Sequence, residues 1–232
     1  MSEISIEIIT GQTQRHLARL PGEAQQLHSE MLPSLMALQQ RAAQCGFTLA
    51  VASGFRSFDR QLAIWNAKAR GERPVLDYDG NPLNVEKMSP LELVHAIMRW
   101  SALPGASRHH WGSDFDVWDR AAVAEDYQLQ LVPEEYQDGG PFAPMSRWLD
   151  EQMQDERFEF FRPYRLDRGG IAPEPWHLSY RPLARQFDSV LTPALLVKVL
   201  TPVEMALKET VLDNIDFLFE RYIQNICDSV ES

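Results

Sequence analysis

The sequence predicts an α+β or mixed-sheet chain of helices interleaved with short strands. Three observations lead there. Capped helical segments alternate with apolar strand-like runs along residues 33–180. The 232 residues, 44% hydrophobic, suffice for one substantial core or at most two small domains. The last ~45 residues change to a purely helical pattern, so residues 1–184 are expected to form the main domain and 185–232 a helical extension.

Residues 1–28 are polar and Gln-rich, and the alternation of Ile4, Ile6 and Ile8 fits an edge strand. Pro33 to Gln44 reads as a helix with Leu35, Leu38 and Ala42 on one face and Gly46 as its stop. Phe47 to Ser53 reads as a buried strand running into Gly54-Phe55-Arg56-Ser57. Ser57 is placed to cap a helix from Phe58 to about Arg70, ended by Gly71. Asp79-Gly80-Asn81-Pro82 makes residues 72–88 a hairpin or surface excursion. Ser89-Pro90-Leu91-Glu92 is a capping box opening a helix toward Trp100. Asp114 to Trp118 alternates as a strand, residues 120–140 are acidic and irregular, Pro144 to Met153 is helical, and Trp176 to Tyr180 is a late strand.

In the tail, Thr192-Pro193 and Thr201-Pro202-Val203-Glu204 each place a cap residue before proline. Val203, Leu207, Val211, Ile215, Leu218, Tyr222 and Ile226 then recur at helical spacing, predicting an amphipathic helix of ~25 residues. Its apolar stripe packs either on the chain's own core or against a second copy in a homodimer.

Charge narrows the partners. Against 33 Asp and Glu stand 22 Lys and Arg, a net charge of −11. Such a surface repels polyphosphate, so neither nucleic acid nor an anionic membrane is expected as a partner. Cys45 and Cys227 build no disulfide framework or CxxC knuckle and read as reduced thiols. The first residues lack a basic start followed by an apolar run, and no stretch approaches the ~18 apolar residues of a membrane span. A cytoplasmic location is expected, or a periplasmic one if a leader has been trimmed.

Of the six histidines, His109 and His177 sit in informative surroundings. In Ser107-Arg108-His109-His110-Trp111-Gly112-Ser113-Asp114-Phe115-Asp116, a glycine turn separates His109 from a carboxylate on the following strand, so both can converge on one ion. In Glu174-Pro175-Trp176-His177, the proline holds Glu174 extended, off the face of His177, where it can approach a metal's water rather than the metal. Two imidazoles and one carboxylate leave a fourth zinc position open, as catalytic rather than structural sites do. Metal, water and a free glutamate base suffice for hydrolysis.

These residues resemble the zinc D,D-peptidases of the VanY, VanX and D-alanyl-D-alanine carboxypeptidase group (peptidase family M15). That family carries S-x-H-x-x-G-x-x-x-D followed by E-P-W-H, and both stand here in order. Ser53-Gly54-Phe55-Arg56-Ser57-Phe58-Asp59-Arg60-Gln61 is similar to its S-G-[YF]-R-S-x-x-x-Q segment. The match spans about residues 33–181. The resemblance implies α+β over the mixed sheet: a central, mainly antiparallel sheet with helices packed on it and zinc in a cleft. It implies one zinc held by His109, Asp116 and His177, with Glu174 as base. It further implies that Arg56 faces the substrate carbonyl or carboxylate and that Gln61 and Ser107 help hold a peptidoglycan-derived peptide.

Plainer readings stand beside these roles. Arg56 reads as an ion-pair partner of Asp59 or another acid, Gln61 as a helix-surface residue, Ser107 as a turn residue, Glu174 as a salt-bridge partner, and the ligand set as a metal-free polar cluster. Asp114 departs from the family, which has a small residue there; it reads as a partner of a ligating histidine or as a solvated strand residue. His110 reads as a pocket or surface residue, and Trp111 as a pocket wall or a cover for the turn. The expected activity is hydrolysis next to D-alanine, as a carboxypeptidase, a D-Ala-D-Ala dipeptidase or an L-Ala-D-Glu endopeptidase, with segments 72–88 and 120–140 as rim elements. A non-catalytic zinc module, as in the hedgehog signalling domain, would lack the base or the arginine, and both are present. A wall-cleaving endolysin would favour a basic surface, which this chain lacks.

Overall fold

The computed structural model describes residues 4–227. Ser5 caps the first element by accepting the Ile8 N–H, and Thr10 closes it by donating its hydroxyl to Ile6 O. The result is a single helical turn, α1 (Ile6–Ile9), and not the edge strand that the Ile4-Ile6-Ile8 alternation suggested. Both ends of the turn are tied by side chains, and the turn points Ile9 fully into the core while Ile6 and Ile8 stay half-buried. A short antiparallel hairpin follows, β1 (Leu17–Arg19) and β2 (Gln26–His28).

The next elements match their sequence signals closely. They are α2 (Leu32–Gln44), β3 (Leu49–Ser53), α3 (Phe58–Ala69) and α4 (Pro90–Trp100). Leu35, Leu38 and Ala42 form the buried face of α2. Ser57 accepts the Arg60 N–H at the head of α3, and Ser89 and Glu92 complete a reciprocal capping box on α4. The excursion between them folds around Asp77, whose carboxylate accepts the Asp79 and Asn81 N–H groups. Its backbone docks on the end of α4 through Trp100 Nε1, which donates to Asp77 O at 3.0 Å.

Then come β4 (Asp114–Asp119), α5 (Pro133–Tyr136), α6 (Ala143–Gln152), β5 (Phe160–Phe161), β6 (His177–Tyr180), α7 (Arg181–Asp188), α8 (Pro193–Leu200), α9 (Lys208–Asp213) and α10 (Ile215–Leu218). The strands form a four-stranded sheet in the order β3-β4-β6-β5, antiparallel throughout. The fold is therefore α+β with an antiparallel sheet and helices packed on it. Strand alternation divides the work: Phe115, Val117 and Leu178 are buried on one face, and Asp114, Asp116, His177 and Ser179 share the other.

The tail departs from its predicted single helix. Thr201 does not open a helix; it closes α8 in right-handed helical geometry, its hydroxyl donating to Val197 O at 2.7 Å. Ala206 is then pinned to α3 on both sides, accepting from Trp65 Nε1 and donating to Asn66 Oδ1. Leu207 turns the chain with φ 62°, a region that L-residues rarely adopt, and α9 starts only after it. A second break at Asn214 separates α9 from α10, and a π-helical turn runs over Phe219–Gln224. The apolar spacing is real but is used by short segments that bend around the core: Val211, Ile215, Leu218 and Tyr222 are all buried in one cluster with Ile97 and Trp65. Among the described residues, no helix is long and apolar enough to cross a membrane.

Two outcomes follow for stability. Leu218 is fully buried, so Leu218→Ala should lower unfolding free energy by about 2–5 kcal/mol in chemical denaturation. A loss near zero, or a separate second transition, would mean that the tail folds apart from the sheet. Burial beside His28 pushes the His16 imidazole down to about 4, and burial lowers His28 as well. A histidine depressed on folding favours the native state above its unfolded pKa of ~6.5 and loses that contribution as pH falls toward 4. His16→Gln should therefore shrink the fall in denaturation midpoint between pH 7 and pH 4; an unchanged fall would show that the pair does not titrate on unfolding.

Candidate active site

Register brings the acidic and basic side chains together. In the β4–β6 ladder, Asp116 lies opposite His177 and Asp114 opposite Ser179. On the other side of β4, Asp116 pairs with Ser53, just past an irregularity in the β3 register. His109 comes from a 3-10 turn, Arg108–Trp111, closed by Gly112 with φ 70°. A Cβ on Gly112 would lie 2.6 Å from the Leu17 side chain and 2.9 Å from the His28 nitrogen, so this turn requires glycine.

His109 Nδ1 lies 3.0 Å from Gly54 O, which only accepts; Nδ1 therefore carries the proton and Nε2 faces Asp116 Oδ2 at 3.5 Å. His177 Nδ1 lies 3.2 Å from Asp116 Oδ1 and 3.6 Å from Glu174 Oε2. His109, Asp116 and His177 are all buried, and one ligand atom from each lies within 4.8 Å of the others. Asp116 Oδ1 and His177 Nδ1 are buried yet make no hydrogen bond, although they are neighbours. The two atoms face each other at 3.2 Å. Such orphaned atoms are costly in a protein interior unless a cation joins them, so the residues fit a divalent metal.

Electrostatics agree with that fit at His109 and Asp116; at His177 an arriving cation has to displace a proton. Burial, reinforced by the Arg56 and His177 cations, holds His109 down at about 4, leaving a neutral imidazole as ligation requires. Burial alone would raise Asp116; His109, His177 and Arg56 outweigh it and keep the carboxylate ionised. Burial likewise disfavours a charged His177, but Asp114 and Asp116 on either side hold it up at about 9. Glu174 is pushed up to about 7, by burial first and then by the Asp116 charge.

Arg56 faces the same corner. Burial lowers its pKa, while the Asp116 and Glu174 charges counter the drop. Its N–H donates to His109 O at 3.0 Å, and its carbonyl accepts from His110 Nδ1 at 2.6 Å. His110 Nε2 in turn accepts the Gly105 N–H at 3.1 Å. His110 is thus fully buried, neutral and occupied on both nitrogens. It is a backbone clamp and neither a ligand nor a surface residue. Gln61, fully buried, accepts from Arg56 Nη1 and donates to Ala102 O. Its amide reaches the corner through Arg56. Ser107 is buried at the head of the His109 turn, with no side-chain cap bond. Trp111 belongs to the core, donating to Ile9 O and packing on Phe187.

Three features were missed from sequence. Lys68 of α3 is lowered to about 8 by burial and by the neighbouring Arg73 and Arg56 charges, with Glu174 opposing; its i+7 spacing from Gln61 on a predicted helix was the available signal. Tyr164 packs its ring, tilted by 56°, with its centroid 5.1 Å from that of His177, and accepts the Glu174 N–H on its carbonyl; nothing in its surroundings marked it. The 120–140 segment, with Phe142 just beyond it, builds a small aromatic cluster of Tyr136 and Phe142 against Trp176 of the E-P-W-H stretch. Glu135, buried within it, accepts from Tyr127 Oη and the Gln130 and Val132 N–H groups.

Comparison with known proteins places this geometry in a family. Two uncharacterized proteins of Haemophilus influenzae are 40% identical over 104 residues (44% of this chain, 71% of the relative) and 31% identical over 123 residues (52% and 92%). The crystal structure of a zinc-bound variant of the vancomycin-resistance D,D-pentapeptidase VanY shares the fold, with a TM-score of 0.50 and 21% identity over 86% of this chain and 92% of that one. The family model for VanY, D-alanyl-D-alanine carboxypeptidase, matches residues 24–183, which take in all three motif segments and the whole four-stranded sheet. On that match the chain belongs to the VanY family of D-alanyl-D-alanine carboxypeptidases.

Proposed function

We propose that this chain is a zinc-dependent D,D-carboxypeptidase that removes the C-terminal D-alanine from cell-wall-derived peptides. One observation carries the reading: His109, Asp116 and His177 bring three ligand atoms within 4.8 Å of one another, with the Glu174 carboxylate beside them and outside the set. The three would hold one zinc ion through two nitrogens and one oxygen, leaving an open position. Zinc, when bound, supplies Lewis-acid polarisation of the scissile carbonyl and a more acidic water.

The chain's own residues do the rest. Glu174, displaced from the ligand set by Pro175, takes the proton of the attacking water and returns it to the departing amine nitrogen. Arg56 sets its positive charge where negative charge grows on the carbonyl oxygen of the tetrahedral intermediate. Gln61 holds that guanidinium in place, and the His110 clamp fixes the backbone from which it projects. Lys68 adds a second cation on the Arg56 side of the cleft, which favours a substrate ending in a free carboxylate over an internal peptide bond. That favours carboxypeptidase action over endopeptidase action.

Three outcomes test this. Glu174→Gln should lower kcat by about 10²–10⁴-fold with zinc content unchanged; near-normal turnover would remove Glu174 as the base. Arg56→Ala should lower kcat/KM by about 10²–10³-fold without stripping zinc, and metal loss in this variant would assign Arg56 a structural role instead. In assays of D-alanine release, a pentapeptide ending in D-Ala-D-Ala should be cleaved and its C-terminal amide should not, with Lys68→Met raising KM for the free acid. Equal cleavage of acid and amide, or preference for an L-Ala-D-Glu bond, would contradict carboxypeptidase action; preference for free D-Ala-D-Ala would make the chain a dipeptidase.

A further inference from the structure

Asp114, two residues before Asp116, is fully buried and points to the same face of β4. Its Oδ1 accepts from Arg108 Nε at 2.7 Å and lies 3.2 Å from His177 Nε2, while Oδ2 accepts from Ser113 Oγ at 3.1 Å. His177 therefore stands between two carboxylates, Asp116 at Nδ1 and Asp114 at Nε2. Arg108 is itself fixed from three sides: Asp114, Ser179 Oγ at 2.9 Å, and Asp188 Oδ1 at 3.0 Å at the end of α7. Asp114 is the buried partner of the Arg108 cation, with the more exposed Asp188 as a second carboxylate on it. The oxygen that takes the Arg108 N–H is also the one that faces the imidazole.

We propose that Asp114 is a positioning residue for His177: held by Arg108, and through it by Asp188, it keeps the proton on Nε2 and turns Nδ1 toward the metal. A carboxylate accepting the outer N–H of a ligating imidazole fixes its tautomer and raises its basicity, and loss of such a partner typically costs about 10–100-fold in metal affinity. Asp114 reaches His177 from the adjacent strand because Asp114↔Ser179 and Asp116↔His177 are successive same-face pairs of one ladder. The inference rests on His177 being a ligand.

The test is a double-mutant cycle in zinc affinity, read by chelator competition on wild type, Asp114→Asn, His177→Ala and the double variant, with the melting temperature of each zinc-free protein. Asp114→Asn should weaken zinc about 10–100-fold in the wild-type background and less than about twofold in the His177→Ala background. Equal weakening in both backgrounds, or unchanged affinity, would overturn the role and leave Asp114 as a structural ion-pair partner. Wild-type zinc affinity in His177→Ala would instead overturn the metal site itself. Nitrogen-15 NMR of zinc-loaded wild type covers a variant that fails to fold: a His177 resonance protonated at Nε2 is expected, and one protonated at Nδ1 would overturn the proposal.

Discussion

The antiparallel register of β4 against β6 is the constraint on which the site depends. It sets Asp116 directly across from His177 on the polar face while Phe115 and Leu178 meet in the core on the other. A slip of one residue would exchange the two faces, moving carboxylates against Phe160 and the phenylalanine into the buried polar corner. Core packing and the geometry of the candidate ligands are therefore locked to the same ladder. Whatever stabilises the sheet also keeps Asp116 and His177 together.

Loops then bring the remaining groups to that fixed edge. The Gly112 turn returns His109 to it, and Gly54 O selects which imidazole nitrogen faces Asp116. The loop after β3 delivers Arg56, whose backbone is held at both ends by His109 and His110. Neighbouring histidines thus divide the labour: one faces the carboxylate, the other holds the arginine in place. The aromatic cluster under residues 120–140 braces Trp176 and through it the Glu174–His177 stretch. These contacts hold the loops to the sheet edge, consistent with a site preorganised by the fold.

Much of this was legible in the sequence, because the chemistry sits on local motifs. The SGFRS, SRHHWGSDFD and EPWH stretches name the candidate ligands, base and cation. The caps Ser57 and Ser89-Glu92 are readable for the same reason: each bond spans only three residues. What escaped depends on distant pairing. Asp114 left two readings open; its burial beside Arg108 and His177 rules out the solvated strand residue. The predicted long tail helix failed at Leu207 because Trp65 and Asn66, 140 residues away, take the Ala206 peptide out of helical geometry. Apolar spacing told which residues of the tail would be buried but not that the backbone would break between them. The Ile4-Ile6-Ile8 alternation failed for the opposite reason, a local serine cap outweighing a three-residue pattern.

X-ray absorption at the zinc edge on the metal-loaded protein tests the central claim most directly. A shared His109–Asp116–His177 site predicts one zinc per chain with only nitrogen and oxygen neighbours at about 2.0–2.2 Å and the outer-shell scattering of two imidazoles. A sulfur neighbour, a single imidazole, or an ion bound only by solvent would contradict it.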